Sequence, residues 1–117
     1  MKGVDAVKAA LAAAEIPVFM PGEHPGVCVS PYCVVQPAGE VRIGRTAHGT
    51  GIIRVNLYAP VGRFDKLDEL WESADAALSE LSEQGEVRYT GERGACLVDD
   101  RFRAVTCFAD VTVQFGA

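Results

Sequence analysis

The chain has 117 residues, 49% hydrophobic and 23% charged, with a formal net charge of −5. That length fits one domain with a core of its own, and the composition excludes a disordered chain. The negative charge argues against a basic nucleic-acid-binding surface.

The N-terminal segment "GVDAVKAALAAAE", residues 3–15, is expected to be helical. Val4, Val7, Leu11 and Ala14 recur at three- and four-residue steps and form one apolar stripe. Pro17 is expected to stop the helix, because a proline pushes the residue before it out of the α region. The run "AVKAALAAAEIPVFM" is interrupted by Lys8, Glu15 and Pro17, so it does not read as a membrane span. Asp5 and Lys8 also speak against a signal peptide. The expectation is a chain made and kept in the cytoplasm.

"VFM" at 18–20 reads as a short strand, and "PGEHPG" at 21–26 as a turn-rich loop. "VCVSPYCVVQPAG" reads as a strand with Val27, Val29, Cys33 and Val35 on one face, and Pro31 implies an edge or a bulge there. Residues 39–51, "GEVRIGRTAHGTG", carry four glycines with Arg42, Arg45 and His48, and read as a long hairpin loop or an arm. A loop of that length is uncommon in a compact domain unless it has a role.

"GIIRVNLYAP" alternates, with Ile53, Val55 and Leu57 on a core face and Ile52, Arg54, Asn56 and Tyr58 on the other. After "VGR", Asp65 is the expected cap of a second helix, with Asp68 and Glu69 near its positive end. That helix reads to about Gln84, with Gly85 as its stop. Its apolar stripe is Leu67, Leu70, Trp71, Ala74, Ala77, Leu78 and Leu81. Its other face, with Glu69, Glu72, Asp75, Ser79, Glu80 and Glu83, is acidic and has no basic residue after Lys66. "VRYTG" and "ACLVDD" read as short strands joined by "GERG", and "DDRF" as a tight turn. The last strand alternates from Val105 to Phe115, longer than the usual ~5–6 residues, and is expected to cross the middle of a sheet. The whole reads as a single α+β domain, a mainly antiparallel sheet with two helices packed on one face.

Motifs for chemistry are sparse. There is no phosphate-binding loop, dinucleotide fingerprint or nucleophile elbow. His24 and His48 fall in loops and read most simply as solvated, and Asp99 and Asp100 read as turn residues. The four cysteines Cys28, Cys33, Cys96 and Cys107 favour free thiols over a disulfide or a metal knuckle. Cys28 and Cys33 lie an odd number of positions apart, so a regular strand turns them to opposite faces. A Cys–His nucleophile remains an alternative, since such partners meet in space rather than in sequence. No cofactor is expected. The basic loop Arg42, Arg45 and His48 reads either as a solvated hairpin or as an arm reaching an acidic neighbour, such as the Glu72, Asp75 and Glu80 face of another copy.

The order of elements resembles a known family. A short helix precedes a strand ending near "YCVVQPAG", then a long loop, then "IIRVNLYAPVGRFDKLDELWESADAALSEL", and finally "RAVTCFADVTVQF". This resembles the tail terminator or tail completion proteins of long-tailed bacteriophages and prophages, related to minor tail protein U. The resemblance implies a structural protein and not an enzyme. It implies an oligomer, often a hexameric ring, that caps the tail tube, stops its polymerisation and offers a surface to head–tail neck or connector proteins. It also implies DNA as passing cargo, no membrane partner, and a location in the host cytoplasm and then the virion. Six copies at −5 each carry roughly thirty negative charges, which would let DNA slide without sticking. The alternatives are a head–tail connector of the same machinery, a small α+β enzyme or ligand-binding domain with a Cys–His site, and a regulatory interaction domain.

Overall fold

A computed structural model describes residues 3–23, 26–42, 49–85 and 87–115, side chains at 41, 42 and 115 excepted. The elements run α1 (Val4–Ala13), β1 (Val18–Phe19), β2 (Tyr32–Arg42), β3 (Gly49–Pro60), α2 (Phe64–Glu83), β4 (Arg88–Tyr89), β5 (Leu97–Asp99) and β6 (Ala104–Phe115). The strands form one sheet in the order β1-β2-β3-β6-β4, with β5 also on β6. Among the described residues only the short β1–β2 pair is parallel. The fold is α+β, as the patterning predicts.

Both helices cover the same face. Val4, Val7 and Leu11 of α1 and Leu67, Leu70, Ala74, Leu78 and Leu81 of α2 join one buried cluster with Cys33 and Val35 of β2. The same cluster takes in Ile53, Val55 and Leu57 of β3 and alternate residues of β6 from Val105 to Val113. The period of 3.6 in the helices and of 2 in the strands delivers these residues to one layer. Trp71 and Ala77 stay half-buried at the margin of the stripe.

α1 ends before Pro17 can act on it. Ala14 is exposed rather than part of the stripe. Glu15 takes φ 63°, Ile16 N donates to Leu11 O at 3.2 Å and Glu15 N to Ala12 O at 2.9 Å. This pair of bonds is a Schellman cap, and it packs buried Ile16 back toward Leu11. At the other end Gly3 has φ 93°, and a Cβ there would lie 2.5 Å from Val113 Cγ1. Only glycine satisfies both the dihedral and the close approach.

β2 begins later than the alternation of valines implies. Val27 and Val29 are 47% and 80% exposed, and the strand starts at Tyr32, just after Pro31. Cys28 N instead donates to Phe102 O at 2.8 Å, which ties this loop to the β5–β6 turn. The bulge falls at Pro37/Gly39 and not at Pro31, because Pro37 lacks a ladder donor inside the strand.

The Gly-rich stretch is mostly ladder. Gly39, Glu40, Val41 and Arg42 pair with Ile52, Gly51, Thr50 and Gly49, so a link of six residues, 43–48, replaces the expected loop over 39–51. The register set by the apolar pairs Cys33–Leu57 and Val35–Val55 carries the pairing on through the glycines. β6 lies inside the sheet as expected, paired along its full length with β3. Its other edge is shared: β5 holds Ala104–Thr106 and β4 holds Val111–Thr112.

α2 starts two residues earlier than Asp65 as its cap implies. The residue before its first turn is Arg63, which makes no side-chain cap. Asp65 sits inside the first turn, where Arg63 grips both its oxygens at 3.0 Å and holds its carboxyl down at about 2.

Candidate functional site

Three surfaces carry the groups that the sequence singles out: the sheet face opposite the helices, the outer side of α2, and the loop 90–96 beside β6.

On the sheet face away from the helices the even-numbered alternates of the core residues come up. Ile52, Arg54, Asn56 and Tyr58 of β3 and Thr106, Phe108, Asp110 and Thr112 of β6 are half-buried, with no helix over them. Arg54 and Asp110 are cross-strand partners. They form a bidentate pair at 2.9 and 3.0 Å, and the guanidinium also lies 4.0 Å from the Phe108 ring centroid. The hydrogen bonds to Asp110 raise the Arg54 pKa, so the guanidinium stays charged. One end of this face is aromatic. Tyr32 stacks on Tyr58 at 4.9 Å, Phe19 meets Tyr32 edge-on, and Phe102 meets Tyr58 edge-on. Buried Cys28 and Ala104 complete that cluster. Asp99 Oδ1 accepts from Arg101 N at 3.0 Å and Phe102 N at 3.3 Å, so it serves the turn, as expected.

The acidic candidates on α2 separate into two kinds. Glu72 and Glu80 are exposed. Asp75 is half-buried and accepts from the Tyr89 hydroxyl at 2.5 Å. The helix also gains a basic partner from outside itself, because Arg93 Nη1 donates to Asp68 at 2.8 Å and the guanidinium lies 5.5 Å from the Trp71 ring centroid. Arg42 ends β2, paired with Gly49. Arg45, His48 and His24 lie outside the described residues, so the charge-paired arm and a Cys–His site have no described geometry.

The thiols also divide. Cys33 donates to Pro17 O at 3.6 Å, and burial pushes it up to about 12. Cys28 donates to Ser30 O at 3.3 Å and is also raised by burial. The two sit in different clusters, but strand parity does not place them, because Cys28 lies in the loop before β2 and only Cys33 is in the strand. Cys107 is buried and raised by burial, with Arg93 pulling it back down. Cys96 is exposed, unlike the other three, and its thiol helps to raise that of Cys107. Sequence reasoning leaves Arg93 unused and does not join these two cysteines. The signal was present, because equal steps back from the Asp99–Ala104 pair reach Leu97 opposite Thr106, with Cys96 and Cys107 next outward.

Among the described residues no group of three or more His, Cys, Asp or Glu is placed to hold a metal. A concavity of about 720 Å³ lies between α1 and α2, lined mainly by alanines together with Ser73, Glu80 and Gln84. It gathers no convergent set of polar groups for a substrate. No helix among the described residues is long and apolar enough to cross a membrane.

No family model and no curated protein matches this chain. Among the solved structures that match, one is similar over 95% of this chain and 89% of its own length, at 20% identity and a TM-score of 0.42. At that score it carries no argument about fold or function.

Proposed function

We propose that this chain is a structural subunit of a phage or prophage tail, a tail terminator that forms a ring on the end of the tail tube, stops polymerisation and offers the head-side joining surface. The observation that carries this reading is the one-sided packing of the sheet. Both helices cover one face, while Ile52, Tyr58 and Phe108 on the other are half-buried without a second layer. A face of that kind suits a contact between subunits. The resemblance of "IIRVNLYAPVGRFDKLDELWESADAALSEL" and the final long strand to tail completion proteins supports the same reading, as does the exposed pair Glu72 and Glu80, which suits a basic arm of a neighbouring copy.

The test is negative-stain imaging and light scattering of the purified protein, with and without tail tubes. Rings, or tubes capped at one end, are the expected result. A protein that remains a strict monomer and never binds tube ends overturns the reading. Binding to head-side connectors with no affinity for tubes would place it among neck proteins instead.

A further inference from the structure

β5 and β6 run antiparallel, with Leu97 opposite Thr106 and Val98 opposite Val105. Cys96 and Cys107 are the next residues outward from the Leu97–Thr106 pair, and the Cys96 thiol is near enough to act on Cys107. Directly opposed antiparallel residues have Cα atoms about 4.5–5.5 Å apart, which falls within the span of a disulfide. Both are free thiols here. Cys96 is exposed and Cys107 is 2% exposed, so one is open to solution and the other is behind it. Arg93 lies beside Cys107, anchored on the far side by Asp68. Its Nε is buried and lacks a hydrogen-bond acceptor, the one such side-chain nitrogen or oxygen among the described residues. A thiol is a poor acceptor for that N–H, whereas a thiolate is a strong one.

We propose that Cys96 and Cys107 form a redox-responsive thiol pair, in which Cys96 receives a small oxidised disulfide such as glutathione disulfide and Cys107, beside Arg93, resolves it. Cys96 gives up its proton and attacks one sulfur of the small disulfide. That S–S bond breaks, and the first small thiolate leaves and takes up a proton. Cys107 then loses its proton and attacks Cys96 Sγ in the mixed disulfide, expelling the second small thiol. Two protein thiols are oxidised by two electrons, and one small disulfide is reduced to two thiols. The product closes a loop of ten intervening residues and fixes the β5 edge to β6. Cys28 and Cys33 cannot substitute, because both are buried, in separate clusters. The inference is independent of the assembly reading.

The test treats the folded protein with glutathione disulfide and maps the cysteines by peptide mass spectrometry. The expected product is an internal Cys96–Cys107 disulfide, lighter than the reduced protein by two hydrogens and reversed by dithiothreitol. Cys107→Ser is expected to stop at a glutathione adduct on Cys96. Arg93→Gln is expected to slow resolution. Loss of a neighbouring positive charge raises a thiol pKa by roughly one unit, and the greater nucleophilicity of the more basic thiolate offsets about half of that, leaving the step about threefold slower. Arg93→Lys should restore most of the rate. A wild-type protein that holds the adduct on Cys96 without resolving it overturns the proposal. So does an unreactive Cys96, or a disulfide that forms only after unfolding; these readings stand even if a Cys107 variant fails to fold.

Discussion

The Tyr89 hydroxyl donates to Asp75 Oδ1 at 2.5 Å, joining the two-residue strand β4 to the middle of α2. The ladder of β4 with β6 is short, Arg88–Thr112 and Tyr89–Val111, and the Tyr89 ring packs against the main core. Removing the phenol leaves a half-buried carboxylate without that donor, so Tyr89→Phe should lower stability by about 1–3 kcal/mol. Asp75→Asn should lower it by about 1 kcal/mol, whereas Glu72→Gln and Glu80→Gln should stay within about 0.5 kcal/mol. Urea unfolding of the four variants checks this. If Asp75→Asn is as silent as the two glutamate variants, Asp75 belongs with them as a free surface charge.

All three tyrosines resist ionisation. Burial, the nearby Cys28, Tyr58 and Asp99 push Tyr32 up to about 12. Burial raises Tyr58, and burial with the Asp75 hydrogen bond raises Tyr89 further. A folded pKa above the unfolded one contributes stability that is fully present below about pH 10, the unfolded value, and is lost as pH climbs through the folded value. Stability should therefore hold to about pH 10 and fall steeply beyond it. The tyrosinate absorbance near 295 nm should rise together with unfolding. A tyrosine that titrates near pH 10 in the folded protein would contradict this.

What was legible in the sequence was what periodicity reports directly. The stripe from Leu67 to Leu81 and the alternation from Val105 to Val113 both land in the core, because each depends only on the repeat of its own element. What was not legible depends on partners distant in the chain. Val27 and Val29 alternate like a strand but have no ladder, since the chain there is tied to Phe102 instead. The glycines from 39 to 51 look like a loop, yet pairing fixed further down the hairpin carries through most of them. Asp75 reads as one more surface acid until Tyr89, fourteen positions away, is brought to it.

Gly94 shows the same dependence on a distant contact. Its N–H donates to Phe108 O at 2.7 Å across the gap between β4 and β5, and a Cβ there would fall 2.5 Å from Cδ1 and Cζ of the Phe108 ring. "GERG" is thus shaped by close packing on β6. Gly94→Ala must shift the ring, which also carries the Arg54 guanidinium, or break the hydrogen bond. The expected loss is about 1–3 kcal/mol, read as a lower thermal midpoint. A midpoint equal to wild type would mean that the loop moves aside freely, and that this stretch of β6 is not held by Gly94.

Glu15 is the position where the sequence leaves stability ungathered. It holds the left-handed conformation of the Schellman cap at φ 63°, without the glycine that usually occupies it. That region costs an L-residue roughly 1–2 kcal/mol, while the flexibility of an added glycine in the unfolded chain takes back roughly 0.5–1 kcal/mol. Glu15 is exposed, so its side chain contributes no core packing to offset the difference. Glu15→Gly should therefore raise stability by about 0.5–1 kcal/mol. Glu15→Val should lower it, because a β-branched residue tolerates this region worst. Guanidinium unfolding midpoints of the two variants should bracket the wild type. If Glu15→Gly lies below it, the end of α1 is held by something other than this cap.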